Sequence, residues 1–220
     1  MKNMLKLGLS LAIYASVACV CLSLVNMVTA PAIAAAKERE LNAGLAVVFA
    51  DADTFEAAPG FVADMDTSVK VTNLYLAKKA GQVMGAVVQA NGPTYDKAEM
   101  LIGVTLNRSI TGIQFLSLTD TPGFGQKAAE PEFSNQFAGK SIDDAFSAGS
   151  DVDMIGGATI TTKGVSQLIK YATYVAGEYL AANCGGAAGT GEAPVIAALV
   201  IELSWSDVFF TASNVLVSIA

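Results

Sequence analysis

The chain has 220 residues, of which 53% are hydrophobic, and a formal net charge of −7. Its 13 basic residues form no cluster, which excludes the positively charged surface that nucleic-acid binding requires. The absence of histidine excludes a Ser-His-Asp hydrolase and a histidine-ligated zinc site, and three cysteines are too few for a disulfide framework or an ordinary iron–sulfur cluster, so redox chemistry would need an organic cofactor.

The first element is an uncharged apolar run over residues 7–30, preceded by Lys2 and Lys6 and followed by Pro31. At about 1.5 Å per residue, a helix of this length spans the roughly 30 Å hydrocarbon core of a membrane. A cleaved signal peptide is the alternative, but its apolar region usually covers only about 7–15 residues. We therefore predict a cytoplasmic N-terminus at 1–6 and a single transmembrane helix at 7–30. The acidic bulk of the chain is expected on the extracytoplasmic side of the cell membrane.

A second helix and then a sheet come after the transmembrane run. Residues 34–48 carry apolar side chains at helical spacing, which predicts a juxtamembrane helix. Beyond them, short β-branched and apolar runs are separated by turn residues, with natural hairpin connections at 80–82 and 107–109. This pattern predicts a meander of antiparallel strands at 69–76, 83–88, 99–106 and 110–118.

Another helix is predicted after Thr161, because apolar residues recur at intervals of three and four as far as Asn183. These elements together predict an α+β domain at 31–183, in which an antiparallel sheet packs against helices. The glycine-rich stretch 184–194 is predicted to be a flexible linker. It leads to an apolar tail at 195–220, whose role the sequence does not indicate.

The segment 156–162, with the sequence GGATITT, lies where this last helix begins. Two glycines and an alanine let a ligand approach the backbone closely, and three threonine hydroxyls lie just beyond them. A helix N-terminus presents unpaired N–H groups and a partial positive charge, which favour a phosphate. The alternative is purely structural: Thr161 or Thr162 is the N-cap of the helix, and the glycines form a turn.

This segment resembles a known motif. The sequence Asp-x-x-[Ser/Thr]-Gly-Ala-Thr-x-[Thr/Ser] is the flavinylation motif of the FMN-binding domain found in two kinds of subunit. These are the G subunit of Rnf-type ferredoxin:NAD oxidoreductases and the C subunit of sodium-translocating NADH:quinone reductases. The chain is similar to the motif from Asp153 to Thr161, except that Gly156 stands where the family usually has serine or threonine.

The resemblance extends beyond the motif. Residues 120–125, with the sequence DTPGFG, look like the family's Glu-Thr-Pro-Gly-Leu-Gly loop, and the segment 133–140 resembles the stretch that lies after that loop in the family. The strand pair at 102–118 and the N-terminal anchor are also similar to those of the family. The likeness therefore covers roughly residues 1–183.

The resemblance implies which residues would bind FMN. Thr159, directly after Gly-Ala, would carry the FMN phosphate as a covalent ester, and Thr161 is the second choice. The remaining cofactor-binding residues of the motif would be Asp153, Gly156, Gly157 and Ala158. Asp153 would belong to the signature read by the flavin transferase that donates FMN from FAD.

The DTPGFG loop would line the isoalloxazine ring of FMN through Thr121, Gly123 and Phe124. Phe124 replaces the family's leucine and could pack on the ring. The alternative is again structural, because Thr-Pro-Gly is also an ordinary turn and Phe124 could be a core aromatic.

By resemblance, the chain is expected to be an electron-transfer subunit of a membrane-bound, ion-translocating ferredoxin:NAD oxidoreductase of the Rnf type. It would have covalent FMN, no metal and no catalytic residues of its own. Its expected partners are other membrane subunits of the complex, the flavin transferase during maturation and the lipid bilayer. Two alternatives are a membrane-anchored flavin reductase acting on a small molecule and a scaffold subunit that has lost flavin, the latter suggested by Gly156.

Overall fold

The computed structural model describes residues 2–63 and 68–187, which form two compact units that divide between Ala43 and Gly44. Helix α1 spans Lys2–Val48 and contains Pro31. The apolar run and the juxtamembrane helix predicted from the sequence are thus parts of one continuous helix. A proline removes only its own N–H bond to the carbonyl four residues earlier, so the remaining bonds carry the helix past it.

In the first unit, α1 is long and apolar enough from Lys6 onward to cross a membrane. Large apolar side chains along it are exposed, among them Leu11, Val20 and Val28. Such a continuous apolar surface is unfavourable in water and suits hydrocarbon. These features indicate a single-pass membrane anchor, and the limits 1–6 and 7–30 stay predictions.

The second unit contains a five-stranded antiparallel sheet in the order β1-β2-β3-β4-β5. The predicted meander is confirmed, and the α+β fold class with it. The first three predicted strands are longer than predicted, the fourth has its predicted limits 110–118, and the short first strand of the sheet was not predicted. Ala80 and Gly81 both have positive φ and join β2 to β3 in a two-residue turn of the kind that suits a twisted hairpin. The strands are β1 (Thr54–Ala57), β2 (Lys70–Lys79), β3 (Gln82–Pro93), β4 (Lys97–Thr105) and β5 (Ile110–Leu118).

One face of the sheet packs against a long helix, α3, which spans Thr159–Asn183. The strand residues on this face alternate along each strand, and Ile102 lies opposite both Val88 and Ile113. The helix contributes a buried apolar stripe to the same core. Its members include Val165, Leu168, Ile169, Ala172, Ala176 and Leu180.

The opposite face is covered by the end of α1, within the second unit. Leu45, Val48 and Phe49 are buried there, and so are the strand residues Val87 and Leu101. Glycines in the strands leave room for these α1 side chains. A Cβ on Gly103 of β4, for example, would lie 2.7 Å from a methyl carbon of Val48. Because both faces are covered, β3 and β4 read as nearly continuous apolar runs rather than as an alternating pattern.

The connection from β5 to α3 is long and contains 3-10 turns at Gly125–Ala129 and Asn135–Phe137, with a one-turn helix, α2, between them at Pro131–Ser134. Three phenylalanines anchor it to the core, with Phe137 fully buried between Phe133 and Phe146. The connection therefore forms a packed wall beside the start of α3.

Beyond α3, the described chain stays attached to the domain. The N–H of Ala187 donates to the carbonyl of Leu106 at 2.9 Å, and the N–H of Gly186 donates to the carbonyl of Leu180 at 3.1 Å. Most of the predicted linker 184–194 and all of the tail 195–220 lie outside the described residues.

Candidate functional site

An open groove of about 480 Å³ lies where the loop after β5 meets the start of α3. This volume falls within the roughly 300–1,000 Å³ range of small-molecule sites. Apolar carbon dominates its walls, with hydroxyl groups on one side. The groove is lined by Tyr95, Thr121, Phe124, Gly125, Gly157, Ala158, Thr159, Ile160 and Thr161.

The first turn of α3 forms the hydroxyl-bearing wall of this groove. The helix begins at Thr159, three residues earlier than predicted, and its N-cap is Ala158, which makes no side-chain capping bond. The alternative that Thr161 or Thr162 is the N-cap is therefore wrong. The first backbone N–H groups of α3 therefore have no N-cap side chain to which they can donate. They lie at the end of the helix that borders the groove.

The three hydroxyls of this turn differ in their environment. Thr161 is 1% exposed, and its hydroxyl donates to the Asp120 carboxylate at 2.6 Å. Thr162 is fully buried, donates to the carbonyl of Ala158 at 3.1 Å and accepts from the N–H of Ile155. Thr159 is exposed, and within residues 2–63 and 68–187 its hydroxyl has no hydrogen-bond partner. Only Thr159 combines a free hydroxyl with access to solvent.

A buried carboxylate stands directly behind the wall. Asp120 is fully buried and accepts the Thr94 hydroxyl at 2.6 Å, the Asp96 N–H at 2.8 Å and the Tyr95 N–H at 3.3 Å, in addition to the Thr161 hydroxyl. Burial by itself raises the pKa of Asp120, but these hydrogen bonds outweigh it and lower the pKa below its usual value. Asp120 is therefore an ionised carboxylate in the loop after β5, and its hydrogen bonds connect this loop to the β3–β4 connection and to the first turn of α3.

Glycine positions determine how closely these segments meet. A Cβ on Gly125 would lie 2.6 Å from the Asp120 Cβ and 2.8 Å from the Thr161 Oγ1, so no side chain fits there. A Cβ on Gly157, which has φ +77°, would lie 2.9 Å from the Phe124 ring. A Cβ on Gly156 would meet nothing within 4 Å, so the serine or threonine of the family motif has room at this position.

Most of the predicted site residues come together in this groove. Its lining includes Thr121 and Phe124 from the loop and Gly157, Ala158, Thr159 and Thr161 from the motif. The Phe124 side chain is 54% exposed, so the alternative that it is a core aromatic is wrong. Gly123 supplies the positive φ of the loop turn.

Two motif residues lie elsewhere. Gly156 is exposed and does not line the groove. Asp153 borders a second, smaller depression of about 190 Å³, next to Met154 and Gln136, and its N–H donates to the Gln136 side chain at 2.7 Å. Asp153 is thus exposed on a neighbouring surface rather than among the groove residues.

Several groove residues were not predicted. They include Tyr95, which is 65% exposed, and Ile160, which is 59% exposed. Ile160 lies between two predicted threonines, which was a usable signal. Tyr95 lies in the β3–β4 connection, which is distant in sequence from α3. Asp120 stands behind the groove, and in the sequence it is marked only as the first residue of the DTPGFG loop. Neither could therefore be assigned before the fold was known.

Gly125 offers a direct test of this packing. Gly125→Ala is expected to destabilise the domain by about 1–3 kcal/mol, because the added methyl group overlaps Asp120 and Thr161. Thermal unfolding of the detergent-solubilised full chain, followed by circular dichroism, measures the effect. Gly156→Ser is the matched control and is expected to unfold at the wild-type temperature. Equal stability of all three chains would contradict the packing described here.

A small α+β domain with an open groove of apolar and hydroxyl side chains is typical of a cofactor-binding domain. Among the described residues, no cluster of side chains could hold a metal ion. A family profile described as an FMN-binding domain matches residues 95–173, and one described as the RnfG N-terminal region matches residues 1–48. The two matches cover the groove and the whole of α1.

Curated relatives extend the likeness over most of the chain. The G subunit of the Na⁺-translocating ferredoxin:NAD⁺ oxidoreductase complex of Acetobacterium woodii is 31% identical over 75% of this chain and 87% of its own length. The G subunit of the ion-translocating oxidoreductase complex of Methanosarcina acetivorans is 28% identical over 84% of this chain and 98% of its own length. The chain belongs to the family of G subunits of ion-translocating oxidoreductase complexes.

Solved structures with a similar domain include the C subunit of a Na⁺-translocating NADH-quinone reductase from Parabacteroides distasonis. It is 27% identical with a TM-score of 0.41, and the match covers 49% of this chain and 62% of that one.

Proposed function

We propose that this chain is an electron-transfer subunit of a membrane-bound, ion-translocating ferredoxin:NAD oxidoreductase and carries FMN as a phosphoester on Thr159. The observation that carries the proposal is the exposed Thr159 hydroxyl at the first turn of α3, beside the groove, which has no hydrogen-bond partner in the described part of the chain. Family membership and the match to an FMN-binding domain over residues 95–173 support FMN as the cofactor.

The choice of Thr159 over its neighbours is supported by hydrogen bonding and burial. The hydroxyls of Thr161 and Thr162 are both buried and both donate to oxygen acceptors. The start of a helix also favours an anionic phosphodiester, because the free N–H groups and the helix dipole present positive charge there.

The attachment step is a transfer of FMN from FAD. The Thr159 Oγ attacks the phosphorus on the riboflavin side of the pyrophosphate, and a new oxygen–phosphorus ester bond forms. The bond from that phosphorus to the oxygen of the other phosphate breaks, AMP leaves, and the hydroxyl proton is lost to base. No atom changes oxidation state. A flavin transferase is the partner for this step, and the exposed Asp153 belongs to the surface that it would read.

The groove walls suit a flavin ring. Phe124 and Tyr95 offer aromatic surface, Ile160 offers aliphatic surface, and all three are more than half exposed. The chemistry that FMN supplies when bound is the reversible uptake of electrons. These residues would position the ring and limit its contact with water, and the groove's open side leaves an edge accessible to the next electron carrier.

The membrane anchor and the family indicate where the chain functions and with which partners. Helix α1 would hold the domain at the lipid bilayer, with residues 1–6 in the cytoplasm and the FMN domain on the extracytoplasmic side. The other membrane subunits of the complex are the partners that deliver and accept electrons. The domain limits 31–183, 184–194 and 195–220 belong to the same proposal.

The test is to express the full chain with its flavin transferase and to run the denatured protein on a gel. A fluorescent band and an intact mass raised by one FMN phosphoester are expected, and a sample expressed without the transferase should be dark. A dark band with unmodified mass in the presence of active transferase would refute covalent attachment. Co-elution of other membrane subunits in mild detergent distinguishes a complex subunit from a separate flavin reductase.

A further inference from the structure

We propose that Asp120 is a positioning residue that holds the Thr161 hydroxyl away from flavin transfer and so leaves Thr159 as the acceptor. This inference rests on the proposed function. It concerns a residue that never contacts the transferred group, because Asp120 is fully buried behind Gly125 and Thr161.

The need for such a residue arises from how α3 begins. Its N-cap, Ala158, has no side chain that can bond the first turn. The first turn is instead tied to the rest of the domain by the short bond from the Thr161 hydroxyl to the Asp120 Oδ2, at 2.6 Å. Charge-assisted bonds of this kind are about twice as strong as neutral ones.

Both ends of this bond are held in place. The other oxygen of Asp120 accepts the Thr94 hydroxyl and the N–H of Asp96, which fixes the carboxylate to the β3–β4 connection. Gly125 removes the side chain that would otherwise separate Asp120 from Thr161. As an ionised carboxylate can only accept hydrogen bonds, the Thr161 proton must point inward, and the Thr161 residue as a whole is 1% exposed.

Two threonines in the same turn would otherwise be similar acceptors. Thr159 and Thr161 are both adjacent to the groove and both belong to the motif. They differ in two ways: Thr159 is exposed whereas Thr161 is 1% exposed, and only Thr161 donates to Asp120. Because the Asp120 bond holds the Thr161 hydroxyl inward, the selection of one hydroxyl is attributed to a residue that lies 41 positions before Thr161 in the chain.

Asp120→Asn is the informative change because it keeps the shape and removes the charge. Its amide NH₂ group is expected to face the Thr161 side, because the Asp96 N–H, which donates to the other oxygen at 2.8 Å, needs an acceptor more than the Tyr95 N–H, which donates on the Thr161 side at 3.3 Å. The Thr161 hydroxyl then accepts instead of donating, its O–H is free to point away from residue 120, and the uncapped first turn opens more easily. Asp96→Asn is the matched control, because its side chain is exposed and its N–H remains.

The experiment uses the full chain, co-expressed with the flavin transferase, and reads in-gel flavin fluorescence together with peptide mass mapping. Thr159→Val alone is expected to be dark. Combined with Asp120→Asn, it should regain a band several times above that background, with flavin on Thr161, whereas Asp96→Asn should leave it dark. A general loss of stability would lower labelling but would not move flavin to Thr161.

The outcomes separate this inference from the proposed function. An unlabelled wild-type chain would refute covalent attachment itself. A wild-type chain labelled on Thr159, with a folded but dark Thr159→Val/Asp120→Asn chain, would overturn only the role of Asp120. If the Asp120→Asn chain does not fold, Thr159→Val/Thr161→Ser decides: Asp120 still holds the serine hydroxyl, so a dark band supports the role and flavin on position 161 overturns it.

Discussion

Thr159→Val is expected to abolish covalent flavin while leaving the domain folded. Valine has nearly the shape of threonine but no hydroxyl, so the oxygen that would form the phosphoester is lost. Thr159 is exposed and its hydroxyl bonds to nothing among the described residues, so the stability change should stay within about 0.5 kcal/mol, as for ordinary surface substitutions. Fluorescence of the denatured band and intact mass measure the flavin, and thermal unfolding measures the fold.

The matched control is Thr161→Ser in the same turn. Serine keeps the hydroxyl that donates to Asp120, so both the fold and the flavin on Thr159 should be retained. Thr161→Val is a poorer control, because it leaves the buried carboxylate with one donor fewer and is expected to cost about 1–3 kcal/mol. A labelled Thr159→Val chain, with the flavin mapped to Thr161 by peptide mass, would reassign the acceptor to Thr161.

Asp143→Asn is expected to destabilise the domain by about 1–3 kcal/mol, because it takes the charged partner from the buried Arg108 side chain, while Asp143 itself is exposed. The Arg108 side chain is only 7% exposed and forms a two-pronged bond to Asp143, at 2.7 Å and 3.1 Å. Its remaining nitrogen, Nη1, has no hydrogen bond within the described residues and lies 3.8 Å from Glu178, so loss of Asp143 leaves a poorly compensated buried charge. The unfolding temperature reports the effect.

The neighbouring Asp144→Asn change is the control, because no described contact joins the Asp144 side chain to Arg108. It should unfold at the wild-type temperature. Equal stability of the Asp143→Asn and wild-type chains would show that the Arg108 pair does not hold the β4–β5 turn to the core.

The same pair adds a dependence on pH. The hydrogen bond from Arg108 lowers the pKa of Asp143 below its usual 3.8, against the opposing effect of burial. The folded chain therefore binds this proton less readily than the unfolded chain. The resulting stability is fully present above the usual pKa and disappears as the pH falls below it toward the lowered value. Asp143→Asn should lose stability less steeply below about pH 4 than the wild-type chain, which acid titration of unfolding measures.

Local pattern was sufficient for much of this protein. The uncharged run at 7–30, the alternating strands with their Ala80-Gly81 turn and the periodic stripe of α3 are all signals of short range, so the elements could be predicted before their packing was known. The anchor, the antiparallel meander and the segment GGATITT are each encoded by residues close together in sequence. The continuation of α1 through Pro31 was not predicted, because proline weakens a helix without necessarily ending it.

The tertiary structure decided which of the three neighbouring hydroxyls is free. Thr159, Thr161 and Thr162 are the same residue type within one helical turn, and no local pattern distinguishes their side chains. Burial against the β5–α3 connection and the bond to Asp120 make the Thr161 hydroxyl unavailable as an acceptor of flavin. The bond to the carbonyl of Ala158 does the same for the Thr162 hydroxyl. The sequence by itself determined that a threonine-rich helix start exists. Only long-range packing, which brings Asp120, Tyr95 and Gly125 beside it, determined which hydroxyl remains exposed and where the groove lies.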